Sequence, residues 1–72
     1  MTKEEFIENL KEELEIESNI DEGTVLQDLE EWDSLSQMVV IGFAKNQFGV
    51  KLTGDDVESL TTIKSLMDKL GL

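Results

Sequence analysis

Several residue types that proteins use for chemistry are absent from this chain of 72 residues. It has no His and no Cys. Ser-His-Asp and Cys-His catalytic systems and disulfide frameworks are therefore excluded, and a zinc site could use only carboxylates. It also has no Arg, whereas nucleic-acid binding depends largely on Arg and Lys that neutralise phosphates. We expect neither a conventional enzyme nor a nucleic-acid-binding protein.

Long apolar runs are absent as well. The longest one, residues 38–44, is much shorter than the roughly 20 residues that a membrane-spanning helix needs. The amino-terminal residues MTKEEF do not have the pattern of a signal peptide. The sequence therefore predicts a soluble cytoplasmic protein that does not enter a membrane.

Acidic residues are abundant and unevenly distributed. The chain has 17 Asp and Glu against six Lys, which gives a net charge of −11. Residues 1–33 carry thirteen of these acids, whereas residues 34–54 carry none. So acidic a chain can be disordered, but its apolar residues recur at ordered spacing, which favours a folded domain. The acidic run on the first helix is most simply a solvated face.

The spacing of apolar and capping residues predicts a single all-α domain over residues 1–72, with three main helices and one short one. A capping box of Thr2 and Glu5 begins the first helix, which should end near Glu17. A long loop over residues 18–32 follows. We predict a second helix over Ser34–Phe48, a short one capped by Thr53 and extending to Leu60, and a last one capped by Thr61 or Thr62 and closed by Gly71.

The second helix carries more apolar residues than one buried face requires. We expect an inward set of Leu35, Met38, Ile41 or Gly42, and Phe48. Val39, Val40 and Phe43 then lie on other sides of the helix. Trp32, just before this helix, is expected to cover the junction between loop and helix.

Three short motifs occur along the chain at a consistent spacing. They are Trp-Asp-Ser-Leu at residues 32–35, Gln-Phe-Gly-Val at 47–50 and Thr-Thr-Ile at 61–63. In this arrangement, the sequence resembles the acyl carrier protein family over essentially its whole length. Asp33 and Ser34 on their own would suggest only a helix cap.

The resemblance implies that Ser34 receives a 4′-phosphopantetheine arm from coenzyme A, transferred by a separate Mg²⁺-dependent phosphopantetheinyl transferase. The thiol of the arm would hold acyl or aminoacyl intermediates as thioesters. Asp33 and Leu35 resemble the residues that present the Ser to the transferase and to partner enzymes. The resemblance thus implies a monomeric carrier without catalytic or metal-binding residues, served by acyl-transferring and condensing enzymes.

Two further groups of residues follow from the resemblance. Met38, Ile41, Phe43 and Phe48, with Leu66 opposite, are expected to border a cavity for the acyl chain, although ordinary core packing is the favoured role of any single one of the four on α2. An apolar patch centred on Val39 and Phe43 is the expected partner surface.

One departure from the family bears on the pathway. In fatty-acid carriers the helix after the attachment Ser is usually acidic, whereas this one has no acid and carries Lys45. We therefore expect a dedicated carrier of a polyketide, nonribosomal-peptide or modified-lipid pathway, ahead of a housekeeping fatty-acid carrier.

Other classes fit the sequence less well. The main alternative is a non-catalytic acidic interaction module without the arm, in which Ser34 only caps a helix. A calcium-binding module is disfavoured because residues 21–23 lack the alternating ligands and closing Glu of an EF-hand. An enzyme is the least favoured, because carboxylates on exposed helices lack the burial that shifts a pKa into a useful range.

Overall fold

A computed structural model describes residues 1–72 and contains four α-helices and no β-sheet. The helices are α1 (Lys3–Glu13), α2 (Ser34–Phe48), α3 (Gly54–Glu58) and α4 (Ile63–Leu70), and a 3₁₀ turn covers Leu26–Asp28 in the long connection between α1 and α2. The predicted all-α bundle with three main helices and one short helix is confirmed. No helix is both long enough and apolar enough to cross a membrane.

All four helices begin at a capping box, in which the side chains of the N-cap and of the third helical residue each accept a hydrogen bond from the other's backbone N–H. The pairs are Thr2 and Glu5, Asp33 and Ser36, Thr53 and Asp56, and Thr62 and Ser65. The expected starts of α1, α2 and α3 are confirmed, and Thr62 rather than Thr61 caps α4. The short helix ends at Glu58, so that Leu60 lies beyond it.

The first helix ends earlier than predicted, at Glu13 instead of near Glu17. Glu15 adopts a left-handed conformation with φ of 54°, and its backbone N–H donates to the carbonyl of Glu12 at 3.2 Å. The N–H of Ile16 donates to the carbonyl of Lys11 at 2.9 Å. These bonds form a Schellman motif. Because such a motif usually has Gly where this chain has Glu15, its position could not be read from the sequence.

The core joins all four helices and the long connection. Three Phe rings fill one end of it: Phe6 from α1 lies with its ring centre 5.8 Å from those of Phe43 and Phe48 in α2. Their tilted and edge-on arrangement is favourable for aromatic pairs. The buried apolar residues are Phe6, Leu10, Leu14, Ile16, Leu26, Val40, Phe43, Ala44, Leu52, Val57, Leu60, Ile63, Leu66, Met67 and Leu70.

The rotation of α2 differs from the one predicted. Leu35 and Met38, which were expected to point inward, are 70% and 69% exposed, whereas Val40 and Phe43 are buried. Apolar residues surround this helix almost evenly, so its own sequence does not define a buried face. Packing of Phe43 against Phe6 of α1 orients it instead.

The long connection is held against the start of α4. The N–H of Leu26 donates to the carbonyl of Thr61 at 2.8 Å, and the N–H of Ile63 donates to the carbonyl of Thr24 at 3.0 Å. The Leu26 side chain is completely buried. The N–H of Lys64 likewise donates to the carbonyl of Glu22 at 2.9 Å, so the connection satisfies two of the N–H groups that a helix start leaves without an intrahelical partner. Leu26 and these backbone hydrogen bonds hold the connection against α4.

Candidate functional site

Ser34 is the first residue of α2 and is exposed to solvent. Its hydroxyl group makes no hydrogen bond to another protein group. The position follows from the local sequence, because Asp33 is a favourable N-cap and places the next residue in the first turn. The structure therefore presents a free hydroxyl at the amino-terminal end of a helix of 15 residues.

Asp33 and Ser36 fix the backbone on either side of Ser34. The Asp33 Oδ1 atom accepts a hydrogen bond from the N–H of Ser36 at 2.9 Å. In return, the Ser36 Oγ atom accepts from the N–H of Asp33 at 2.7 Å and donates to the Asp33 carbonyl at 2.9 Å. Ser36 is the one buried polar residue of the protein. This role was not predicted from the sequence, although the spacing of Ser36 from Asp33 is that of a capping box.

The backbone at Ser34 offers hydrogen-bond donors to a phosphate group. The backbone N–H groups of Ser34 and Leu35 make no hydrogen bond within the protein, and they lie at the positive end of the α2 dipole. The adjacent carboxylate of Asp33 already accepts the N–H of Ser36. A phosphodiester on the Ser34 hydroxyl would therefore find free N–H donors, and the residues present fit such a group.

Leu35 and Trp32 flank this position differently. The Leu35 side chain extends into solvent, with 70% of its surface exposed. Trp32 is partly buried and packs against the core, and its backbone N–H donates to the Leu29 carbonyl at 3.1 Å. Trp32 thus anchors the end of the connection, while Leu35 remains available for contact with another molecule.

The other predicted site residues are not arranged as expected. Met38 is 69% exposed, Leu66 is completely buried, and Ile41 and Phe48 are partly buried. None of these four lines either of the two depressions in the protein. The acyl cavity bordered by these residues stays a prediction.

The predicted apolar patch centred on Val39 and Phe43 is also wrong in its placement. Phe43 belongs to the cluster of three Phe rings and is buried. Val39 is partly buried and borders a shallow groove near the start of α2. The exposed apolar side chains of α2 are those of Leu35 and Met38.

The sequence matches the family described as "Phosphopantetheine attachment site" over residues 4–70, which is nearly the whole chain. The chain therefore belongs to this family of carrier domains of the acyl carrier protein type. It is a carrier protein whose prosthetic group is 4′-phosphopantetheine, and it interacts with a phosphopantetheinyl transferase and with enzymes of its pathway. Carrier domains of this family are typically non-catalytic. No match was found among curated proteins or among solved structures.

Proposed function

We propose that Ser34 is the attachment residue and that the protein carries acyl or aminoacyl groups for partner enzymes. The observation that carries this proposal is the free, exposed hydroxyl of Ser34 at the start of α2. No other Ser combines these properties. Ser18 lies in the long connection, and Ser36, Ser59 and Ser65 donate their hydroxyl protons to backbone carbonyls.

Each residue of the site has a distinct task in this proposal. The N–H groups of Ser34 and Leu35 stabilise the negative charge of the phosphodiester. Asp33 and Ser36 hold the start of α2 in one geometry, so that the hydroxyl is presented to the transferase in a fixed direction. When bound, 4′-phosphopantetheine supplies a thiol that holds the cargo as a thioester. The chain itself has no Cys for this purpose.

The protein serves a dedicated polyketide, nonribosomal-peptide or modified-lipid pathway in this proposal. The support comes from α2, which contains no acidic residue and has Lys45 in its last turn. Where fatty-acid carriers of the family usually carry acids, this helix has Ser36, Val39, Lys45, Asn46 and Gln47. A partner enzyme whose basic surface binds an acidic helix would have no carboxylate to pair with on α2.

Attachment is tested by incubating the protein with coenzyme A, Mg²⁺ and a broad-range phosphopantetheinyl transferase and measuring its intact mass. We expect one added phosphopantetheine on the unmutated protein and on Ser18→Ala, and none on Ser34→Ala. Ser18→Ala is the matched control, because Ser18 is also exposed but lies outside any helix. An unchanged mass of the unmutated protein would refute the carrier proposal. Addition to Ser34→Ala would refute the assignment of the residue.

The pathway is tested with the arm-bearing protein after loading with an acyl group. We expect slow turnover by a housekeeping ketoacyl synthase and faster turnover by enzymes encoded beside its own gene. Efficient turnover by the housekeeping synthase would contradict the proposal of a dedicated pathway and leave the carrier function intact.

A further inference from the structure

Lys45 lies on the same side of α2 as Ser34 and is also exposed to solvent. It is eleven residues farther along the helix, and eleven residues make about three turns, so that the two positions point within about 20° of each other. The exposed Met38 and the partly buried Ile41 lie between them on this side. A continuous surface of α2 therefore leads from the proposed attachment hydroxyl to a primary amine.

The separation of the two positions matches the reach of a phosphopantetheine arm. Eleven residues of a helix span about 16 Å, and helical side chains are tilted toward the amino terminus, which for Lys45 is the direction of Ser34. The arm has about 14 bonds between the Ser oxygen and its sulfur, which is about 16 Å at the bond spacing of an extended polypeptide. A thioester at the end of an arm on Ser34 can therefore reach the amine of Lys45.

The amine of Lys45 has no charged partner in the protein. The three ion pairs engage Lys3, Lys64 and Lys69 instead. Residues 41–49, which form the helical turn on each side of Lys45, contain no other ionisable side chain. The nitrogen of Lys45 is thus accessible to a carbonyl group that approaches along α2.

The other two lysines outside ion pairs do not combine access with reach. Lys11 is partly buried, in a depression along α1 that it shares with four Glu side chains. Lys51 is exposed but follows the end of α2, and the helix alone spans about 21 Å from Ser34 to Phe48. Among the unpaired lysines, only Lys45 is both exposed and within the length of an arm on Ser34.

We propose that Lys45 is a self-acylation site, which accepts the acyl group of a thioester held on Ser34 of the same molecule. The inference rests on the proposed attachment at Ser34. The neutral amine of Lys45 forms a C–N bond to the carbonyl carbon, the C–S bond breaks, and a proton passes from nitrogen to sulfur. The products are an Nε-acyl-lysine and a free thiol, so that no oxidant, metal or further reactant is needed.

The reaction has two consequences for the carrier. A loaded molecule that meets no partner enzyme loses its cargo to Lys45, which limits the lifetime of the thioester. The acylated Lys45 is neutral, so that α2 loses its only positive charge. Tethering makes the reaction measurable, because a flexible tether that matches the span gives an effective concentration on the order of millimolar.

The test loads the protein from acetyl-coenzyme A with Mg²⁺ and the broad-range transferase, and then removes the excess acetyl-coenzyme A. The loaded protein is incubated at mildly alkaline pH, where a larger fraction of lysine side chains is neutral. Hydroxylamine then cleaves the remaining thioester, and intact mass with peptide mapping detects acetyl groups that persist as amides. We expect at least about tenfold more amide on Lys45 than on any other amine. Absence of the amide, or its even distribution over the lysines, would overturn the inference.

Two variants test the reacting group and its position. Lys45→Arg keeps the positive charge but removes the reactive amine, and we expect at least about tenfold less amide in it. The double variant Lys45→Arg with Gln47→Lys places a lysine at nearly the same distance from Ser34, but about 200° around the helix. We expect the amide to remain as low as in Lys45→Arg. Acetylation at position 47 at the rate of the unmutated protein would refute the argument from the shared side of α2.

Transfer within one molecule is tested by mixing two variants. The donor is loaded Lys45→Arg, and the acceptor is Ser34→Ala, which keeps Lys45 but carries no arm. We expect no amide on the acceptor, and no change in the rate constant of the unmutated protein on dilution by about tenfold, because the step is unimolecular. Transfer to the acceptor at the rate of the unmutated protein would overturn the inference. Loading distinguishes the two proposals: if no acetyl-phosphopantetheine is ever added, both fail, whereas a loaded protein that forms no amide refutes only the role of Lys45.

Discussion

Residues 1–33 and α2 differ in their charge and in how apolar residues are distributed around their helices. The first region carries thirteen acids, and the buried residues of α1 lie on one side of the helix, at Phe6 and Leu10. The second carries no acid and has apolar residues on every side, of which Val40 and Phe43 are buried and Leu35 and Met38 exposed. An amphipathic helix has only one way to bury its apolar stripe, whereas α2 has several.

The difference separates two requirements of a carrier. The acidic region gives the protein a charged, solvated surface, while its helix and connection are held in place by core contacts. The α2 helix must pack against α1 and also present Ser34 at its exposed start. An acid-free α2 can do both only if its rotation is fixed by neighbouring elements, above all by the cluster of three Phe rings.

The largest difference in stability is expected between substitutions on the buried side and on the exposed side of α2. We expect Phe43→Ala to lower the free energy of unfolding by about 3–5 kcal/mol, because it leaves a cavity against Phe6 and Phe48. Met38→Ala should change it by less than about 0.5 kcal/mol, because Met38 is exposed. Urea denaturation followed by circular dichroism measures both.

A loss of about 3–5 kcal/mol is a large part of the stability expected of so small a domain, about 4–11 kcal/mol. Phe43→Leu, which removes less volume, therefore serves as a graded variant that stays folded. If Met38→Ala proved as destabilising as Phe43→Ala, the observed rotation of α2 would be wrong and the predicted inward face would be restored.

This rotation marks the limit of what the sequence could predict. The bounds of α2 were correct because Asp33 and Gly49 are strong start and stop signals that act locally. The buried face was wrong because Leu35, Met38, Val40 and Phe43 are all apolar, and only contact with α1 distinguishes them. The same error placed the buried Phe43 in the predicted partner patch.

The candidate site was predicted more completely where its geometry is local. Asp33, Ser34 and Leu35 lie at the start of α2, as their sequence indicates. The groove beside them could not be predicted, because it depends on Glu15 in a left-handed conformation and on Glu31 from the connection. Neither feature has a sequence signal that specifies the packing of α1 against α2.

The second prediction concerns the connection in the acidic region. The Gln27 Nε2 atom donates to the carbonyl of Leu60 at 2.7 Å, across 33 residues of chain. We expect Gln27→Ala to cost about 1–2 kcal/mol, because it leaves a partly buried carbonyl without this partner. Gln47→Ala, at an exposed position of α2, is the control and should change stability by less than about 0.5 kcal/mol. Equal effects in urea denaturation would show that the connection is not held by this bond.

The third prediction compares the ends of α1 and α2. Both helices end with a residue in the left-handed conformation, Glu15 with φ of 54° and Gly49 with φ of 66°. We expect Glu15→Gly to stabilise the protein by about 1 kcal/mol and Gly49→Ala to destabilise it by about as much, since a Cβ atom is unfavourable in this conformation. Thermal denaturation measures both. A destabilising Glu15→Gly would show that the Glu15 side chain contributes contacts that outweigh its backbone cost.

The smallest expected effect is the pH dependence of stability that arises from Glu5 at the start of α1. The hydrogen bond from the backbone N–H of Thr2 to the Glu5 carboxylate, at 2.9 Å, is the main cause that lowers the pKa of Glu5 below its usual value of 4.5. The N–H of Thr53 lowers the pKa of Asp56 in the same way at the start of α3. Because the folded pKa of Glu5 is the lower one, its contribution to stability is present above pH 4.5 and is lost as the pH falls through the folded pKa.

This pH dependence is tested with Glu5→Gln and, as its neighbour in the same turn, Glu4→Gln. We expect the stability difference between the unmutated protein and Glu5→Gln to be largest near pH 7 and to shrink below pH 4.5, because Gln keeps the shape of the cap but cannot ionise. Glu4→Gln removes the same charge but leaves the bond to Thr2, so it should retain the pH dependence of the unmutated protein. If Glu4→Gln lost that dependence as well, the effect would arise from the general negative charge of residues 1–33 and not from the cap. The contrast between the acidic region and α2 would then extend to the stability of the fold.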